Sequence, residues 1–116
     1  MNKGAWGEAC AAAYLQKKGY RIVAKNFRTR YGELDLIATK GKYLVFVEVK
    51  TRKNDCFGAA REFITPAKQQ RLILTAELWL QRYPSELQSR FDAVEVYGVE
   101  GCAAPQMEHL EHIFEA

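Results

Sequence analysis

Residues 33–50 read ELDLIATKGKYLVFVEVK. Two runs, 33–39 and 42–50, are separated by Lys40-Gly41, and the second is dense in Val, Phe and Tyr. That composition predicts two strands joined by a tight turn. Strand side chains alternate faces, so Leu44, Phe46, Glu48 and Lys50 share one side and Val45, Val47 and Val49 the other. The second run is apolar on both sides for most of its length, which predicts a strand covered on both faces. With Lys40 and Gly41 as a two-residue loop, Thr39 faces Lys42, Ile37 faces Leu44 and Asp35 faces Phe46. Asp35 and Glu48 then become diagonal neighbours on one face, roughly 5–8 Å apart between β carbons.

Two carboxylates at that separation can share a divalent cation. Burying Asp35, Glu48 and Lys50 together is costly unless a cation or a tight ion-pair network compensates. Oxygen ligands suit Mg²⁺ or Mn²⁺ better than Zn²⁺. A neighbouring lysine can orient an attacking water and stabilise a pentacovalent phosphorane. These are the parts that phosphodiester hydrolysis needs. An edge ion pair between Glu48 and Lys50, with Asp35 as a strand-face charge, is the plainer alternative from these residues alone.

Working outward, residues 5–18 (AWGEACAAAYLQKK) predict a helix, with Gly19 at its end behind two lysines. Residues 20–28 predict a strand. Residues 53–64 are poorly patterned and read as loop. Thr65-Pro66 opens a second helix, Thr as N-cap and Pro in the first turn, running to about Tyr83 with an apolar stripe through Leu72, Ile73, Ala76, Trp79, Leu80 and Tyr83. Residues 91–97 (FDAVEVY) read as an alternating strand, and 107–114 as strand or helix. The order α-β-β-β-α-β predicts one α/β domain over residues 1–116, a sheet with helices packed on it, with the tail from about 101 unassigned.

The chain has 116 residues, 48% of them hydrophobic, and a net charge of +3. The charge is uneven: residues 17–53 hold 11 Lys/Arg and 3 Asp/Glu, whereas residues 84–116 hold 1 and 7. A basic first half fits a polyanion partner or a solvated basic surface, and Arg28, Arg30, Arg52 and Lys53 flank the acidic positions as candidate phosphate contacts. Cys10, Cys56 and Cys102 lack metal-site spacing and read as reduced thiols. No apolar run approaches a membrane span or a signal-peptide core, so a cytoplasmic location without membrane association is expected. His109 and His112 read as surface histidines, and Trp6, Trp79 and Tyr83 as core packing.

Five short motifs occur in order: Gly4-x-x-Gly7-Glu8, Gly32-Glu33-Leu34-Asp35-Leu36-Ile37, Phe46-Val47-Glu48-Val49-Lys50-Thr51-Arg52, Thr65-x-x-Lys68 and Arg90-Phe91-Asp92. Together they resemble the YraN-like family of small bacterial proteins. That family is grouped with the restriction-endonuclease-like PD-(D/E)xK superfamily and related to archaeal Holliday junction resolvases. The resemblance implies a mixed central sheet flanked by helices. It implies Asp35 and Glu48 as metal ligands, Glu33 as a further ligand or supporting residue, Lys50 as the catalytic lysine, Glu8 reaching the site from the first helix, and Lys68 facing substrate or site. The superfamily's proline before the aspartate is Leu34 here.

The expected function is a Mg²⁺- or Mn²⁺-dependent nuclease acting on DNA, with branched or junction DNA as the substrate class. The rival is a nucleic-acid-binding or partner-binding module on the same fold without turnover. A small homodimeric scaffold is a third reading.

Overall fold

The computed structural model describes residues 4–52 and 64–115. Its elements are α1 (Ala5–Lys17), β1 (Arg21–Thr29), β2 (Gly32–Lys40), β3 (Tyr43–Arg52), α2 (Pro66–Arg82), β4 (Gln88–Tyr97) and β5 (Gln106–Leu110). The strands form one sheet in chain order, β1-β2-β3-β4-β5. Only the β3–β4 pair is parallel; the other three are antiparallel. Parallel neighbours need a crossover, and α2 supplies it. The expected 53–64 loop lies outside the described residues except for Ile64, as do Lys53 and Cys56.

β3 occupies the centre, as its two apolar faces require. On one face α1 sets Ala11, Ala12 and Leu15 against Leu36, Ala38, Val45, Val47, Val94 and Val96. On the other, α2 sets Leu72, Ala76 and Trp79 against Ile37, Leu44, Phe46 and Phe91. The helix ends follow the sequence signals. Gly19 takes φ +92° just past α1, and the Tyr20 N–H closes back on Leu15 O at 3.0 Å. Thr65 Oγ1 accepts from the Lys68 N–H at 3.2 Å, with Pro66 opening the helix.

The turn differs from expectation. Lys40 pairs with Tyr43 and Thr39 with Leu44, so the loop is Gly41-Lys42. The first loop residue takes φ +56°, which glycine adopts without a Cβ clash. The register therefore moves by two residues, an even step that keeps every side chain on its expected face. Read one pair beyond Leu36–Val47, it sets Asp35 opposite Glu48 rather than diagonal to it.

Two further readings are revised. β4 is buried from Arg90 to Tyr97 on both faces instead of alternating: α1 packs on one side, and on the other Phe114 of the tail stacks on Phe91 at 4.6 Å. The ambiguous tail supplies β5 at the sheet edge. His109, on β5, is not a surface residue: its side chain is 1% exposed and bonded to Asp92. His112 is exposed, as expected.

β1 carries an irregularity next to the acidic strand. The pairs Lys25–Leu36 and Phe27–Leu34 bracket Asn26 opposite Asp35, and Asn26 takes φ +54°. Asparagine tolerates this region and β-branched residues do not. Asn26→Val is expected to lower stability by about 1–2 kcal/mol and Asn26→Gly to be tolerated, measured by thermal melting.

Candidate active site

The acids gather at the end of the β2–β3 ladder. Past Leu36–Val47 the Val49 N–H is taken up by the Asp35 carboxylate, which accepts at 2.8 Å through Oδ2. Glu33 lies two residues away on the same face of β2. Its place is set by the β1–β2 turn, which Thr29 ties to Gly32 O at 3.2 Å and to Thr75 of α2 at 3.4 Å. Glu8 arrives from α1. Gly7 makes this approach possible, since a Cβ there would collide with Thr51 Oγ1 on β3. Glu8 sits in the first helical turn, where the helix dipole favours negative charge.

Carboxylate oxygens of Glu8, Glu33 and Asp35 lie within 4.8 Å of one another. Glu48 stands beside this group, with its Oε1 held by Lys68 Nζ at 3.2 Å. The residues alone paired Asp35 and Glu48 as metal-sharing carboxylates, and the resemblance added Glu33 and Glu8. The structure gathers Asp35 with Glu8 and Glu33, keeps Glu48 in the same cavity as Asp35, and ties Glu48 to the first turn of α2 through Lys68. Lys50, one step along β3 on the same face, is exposed; its charge favours the ionised form of Glu48. Glu33, Asp35, Glu48, Lys68, Arg71 and Leu72 line a cavity of about 290 Å³. Arg71 was not among the expected residues; its position three residues after Lys68 on one helix face was the available signal.

The other candidates scatter. Arg28 pairs with Glu33 at 3.3 Å on the surface. Arg30 lies on its neighbour Tyr31, 2.9 Å from the hydroxyl. Arg52 is engaged by Glu95, a fully buried acid of β4 that sequence reasoning missed because β4 read as half exposed. Lys18, from the basic first half, donates to His109 Nδ1 at 2.7 Å.

Crowding decides the electrostatics. Burial first, then the charge of Glu48, with Glu8 and Glu33 adding to it, pushes the Asp35 carboxyl from 3.8 to about 7 against the opposing Val49 N–H. Burial also raises the Glu48 carboxyl, opposed by Lys68. A raised carboxyl holds its proton more tightly folded than unfolded. Its contribution to stability is therefore present below about pH 4 and lost as pH climbs to about 7. Metal-free protein is expected to show this loss in a series of melts, and Asp35→Asn to flatten it. Millimolar Mg²⁺ or Mn²⁺ is expected to raise the melting temperature more at pH 8 than at pH 5, because a cation binds the ionised carboxylates. A metal effect independent of pH would contradict a carboxylate site.

The donor set is all oxygen and clustered; Arg28 and Lys68 meet Glu33 and Glu48, while Asp35 stays crowded by the other acids. The set fits a hard divalent cation and not a soft one.

The sequence model described as "Uncharacterised protein family UPF0102" matches residues 7–96, and the chain belongs to that family. It is 48% identical over 104 residues to the UPF0102 protein of Syntrophomonas wolfei, covering 87% of this chain and 90% of that protein. It is 42% identical over 113 residues to the UPF0102 protein of Geobacter sulfurreducens, covering 97% and 88%. With the UPF0102 protein of Rhodococcus jostii it shares 46% over 114 residues, covering 96% and 94%.

Proposed function

We propose that this protein is a Mg²⁺- or Mn²⁺-dependent nuclease of the restriction-endonuclease-like PD-(D/E)xK type, related to archaeal junction resolvases and acting on DNA, with branched or junction DNA as its substrate class. The observation that carries this reading is the meeting of Glu8, Glu33 and Asp35 within 4.8 Å, beside Glu48 and Lys68, with Lys50 next along the strand. Acids alone would favour only a cation. Acids with one lysine in the same cavity and a second next along β3 match what water attack on phosphorus requires, with positive charge where negative charge accumulates.

Glu8, Glu33 and Asp35 would hold the cation, which polarises the phosphoryl group and lowers the pKa of a bound water. Lys50 would orient the attacking water or neutralise the developing charge on phosphorus. Glu48 would hold Lys68 toward the scissile phosphate and would be a further candidate ligand for the cation.

The rival, a DNA-binding module without turnover, draws on the Glu48–Lys68 ion pair, which neutralises one acid internally. Incubating the purified protein with junction, flap, linear and single-stranded DNA in Mg²⁺ or Mn²⁺ separates them. Cleavage abolished by chelation is expected. Binding to these substrates with no cleavage under either metal would favour the rival.

A further inference from the structure

A second groove lies on the α2 face, between β1 and the last turns of α2. It measures about 580 Å³ and is lined by Lys25, Asn26, Arg28, Trp79, Arg82 and Tyr83, among others. Arg28 borders it and also pairs with Glu33 of the acidic cavity, so the two hollows are neighbours along β1 and β2. On α2, Lys68, Arg71, Thr75, Trp79 and Arg82 follow one another at steps of three and four, one stripe along one side of the helix. From Arg71 at the acidic cavity to Arg82 at the groove is roughly 16 Å along the helix axis, a few nucleotides of an extended strand.

Tyr83 is the unusual member. It reads as core from the sequence, yet it is 48% exposed. Its ring is backed by the buried Trp79, 4.2 Å away between centroids, while Trp79 is held edge-on by Phe27 at 5.3 Å. The ring is thus anchored on one side, and Arg82 stands at 5.8 Å from its centroid. Among the described residues Lys25 and Arg82 have no acidic partner. An anchored aromatic surface with unneutralised cations around it matches a base on its phosphate backbone better than it matches an apolar peptide.

We propose that this groove holds an unpaired segment of the DNA strand leading from the acidic cavity, with one base stacked on Tyr83 and its phosphates met by Arg82 and Lys25. It rests on the nuclease reading only in taking the acidic cavity as the point of cleavage. A paired base has both faces covered by its neighbours in the duplex, so Tyr83 can act only on unpaired DNA. Tyr83 then selects substrates that carry single-stranded character near the cut.

The test is anisotropy with a labelled oligo-dT of about 15 nucleotides and a duplex of the same length, in chelator, so that no cutting intervenes. Tyr83→Ala is expected to weaken oligo-dT binding about 5- to 150-fold and leave duplex binding unchanged, with Tyr83→Phe retaining affinity. Arg82→Ala is expected to weaken both and to reduce the salt slope on oligo-dT by about 0.7. Equal oligo-dT affinity for Tyr83→Ala and parent overturns the inference, as does an equal loss on duplex, which marks a folding effect. Cleavage by the parent with binding indifferent to Tyr83 sinks this inference alone. Tyr83-dependent binding without cleavage sinks the nuclease reading alone.

Discussion

Lys50→Ala protein is expected to cleave DNA on the order of 10²–10⁴-fold more slowly than the parent while binding the same DNA nearly as well. The size follows from the role assigned to the ammonium. It meets charge that develops on phosphorus or on the attacking water, so its removal raises the barrier without weakening ground-state binding. Folding does not confound the result. Lys50 is exposed, and substitutions at such positions cost little stability. Lys50→Arg keeps the charge but replaces a compact ammonium with a planar fork, and is expected to recover only part of the rate. Single-turnover cleavage with saturating enzyme separates the two effects. Unchanged cleavage in Lys50→Ala would remove the lysine from the mechanism, and a parallel fall in binding would turn it into a mere phosphate contact.

Asp92→Ala is expected to cost about 3–5 kcal/mol, measured by denaturant or thermal unfolding. Asp92 is fully buried on β4. Arg90 donates to both of its oxygens at 2.9 and 2.8 Å, His109 lies 2.7 Å away, and the His112 N–H donates at 3.0 Å. Since the Lys18 ammonium can only donate to His109 Nδ1, the His109 proton sits on Nε2 and points at Asp92. Arg90 reaches on to the Tyr20 hydroxyl at 2.7 Å and lies over the Tyr43 ring at 4.7 Å. One carboxylate thus joins the exit of α1 to β3, β4 and β5. Removing it leaves a buried guanidinium with only the Tyr20 hydroxyl and the half-exposed Glu111, 3.7 Å away. Burial by itself would raise the Asp92 carboxyl, but the His109, Arg90 and His112 hydrogen bonds outweigh it and leave it below its ordinary 3.8. Its contribution is therefore complete above about pH 4 and lost on further acidification, opposite in sign to that of Asp35. Glu33→Ala, whose partner Arg28 is 64% exposed, is expected to cost about 1 kcal/mol or less. A comparable loss in both variants would contradict this contrast.

Local signals were legible wherever one residue's backbone chemistry decides the outcome. Thr65-Pro66 opened α2, Gly19 closed α1, and the two-sided apolarity of 42–50 put β3 in the middle of the sheet. The hairpin was legible in its parity but not in its register. Gly41 was placed at the second loop position, whereas the chain uses its freedom at the first, and a two-residue shift leaves the hydrophobic pattern equally satisfied. The acids Glu33, Asp35 and Glu48 were identifiable as three negative positions in a basic stretch.

Their grouping was not legible from strand parity; that Glu8, Glu33 and Lys68 attend the site came only with the family resemblance. A sequence states which face of a strand a carboxylate occupies; read residue by residue, it does not state which helix terminus arrives there. Glu8 joins Asp35 and Glu33 because Gly7 lets α1 lie close on β3, and Glu48 turns to Lys68 because the Thr65 cap fixes the first turn of α2 above it. The burial of Asp92, Glu95 and His109 was hidden for the same reason. A strand with scattered acids looks half exposed until packing covers both of its faces and cations such as Arg90 and Arg52 neutralise the acids. The amino-acid order determined the elements, their faces and the residue types available for chemistry, because those follow from interactions a few residues long. Only the tertiary structure decided which charges meet, because that depends on packing between segments tens of residues apart.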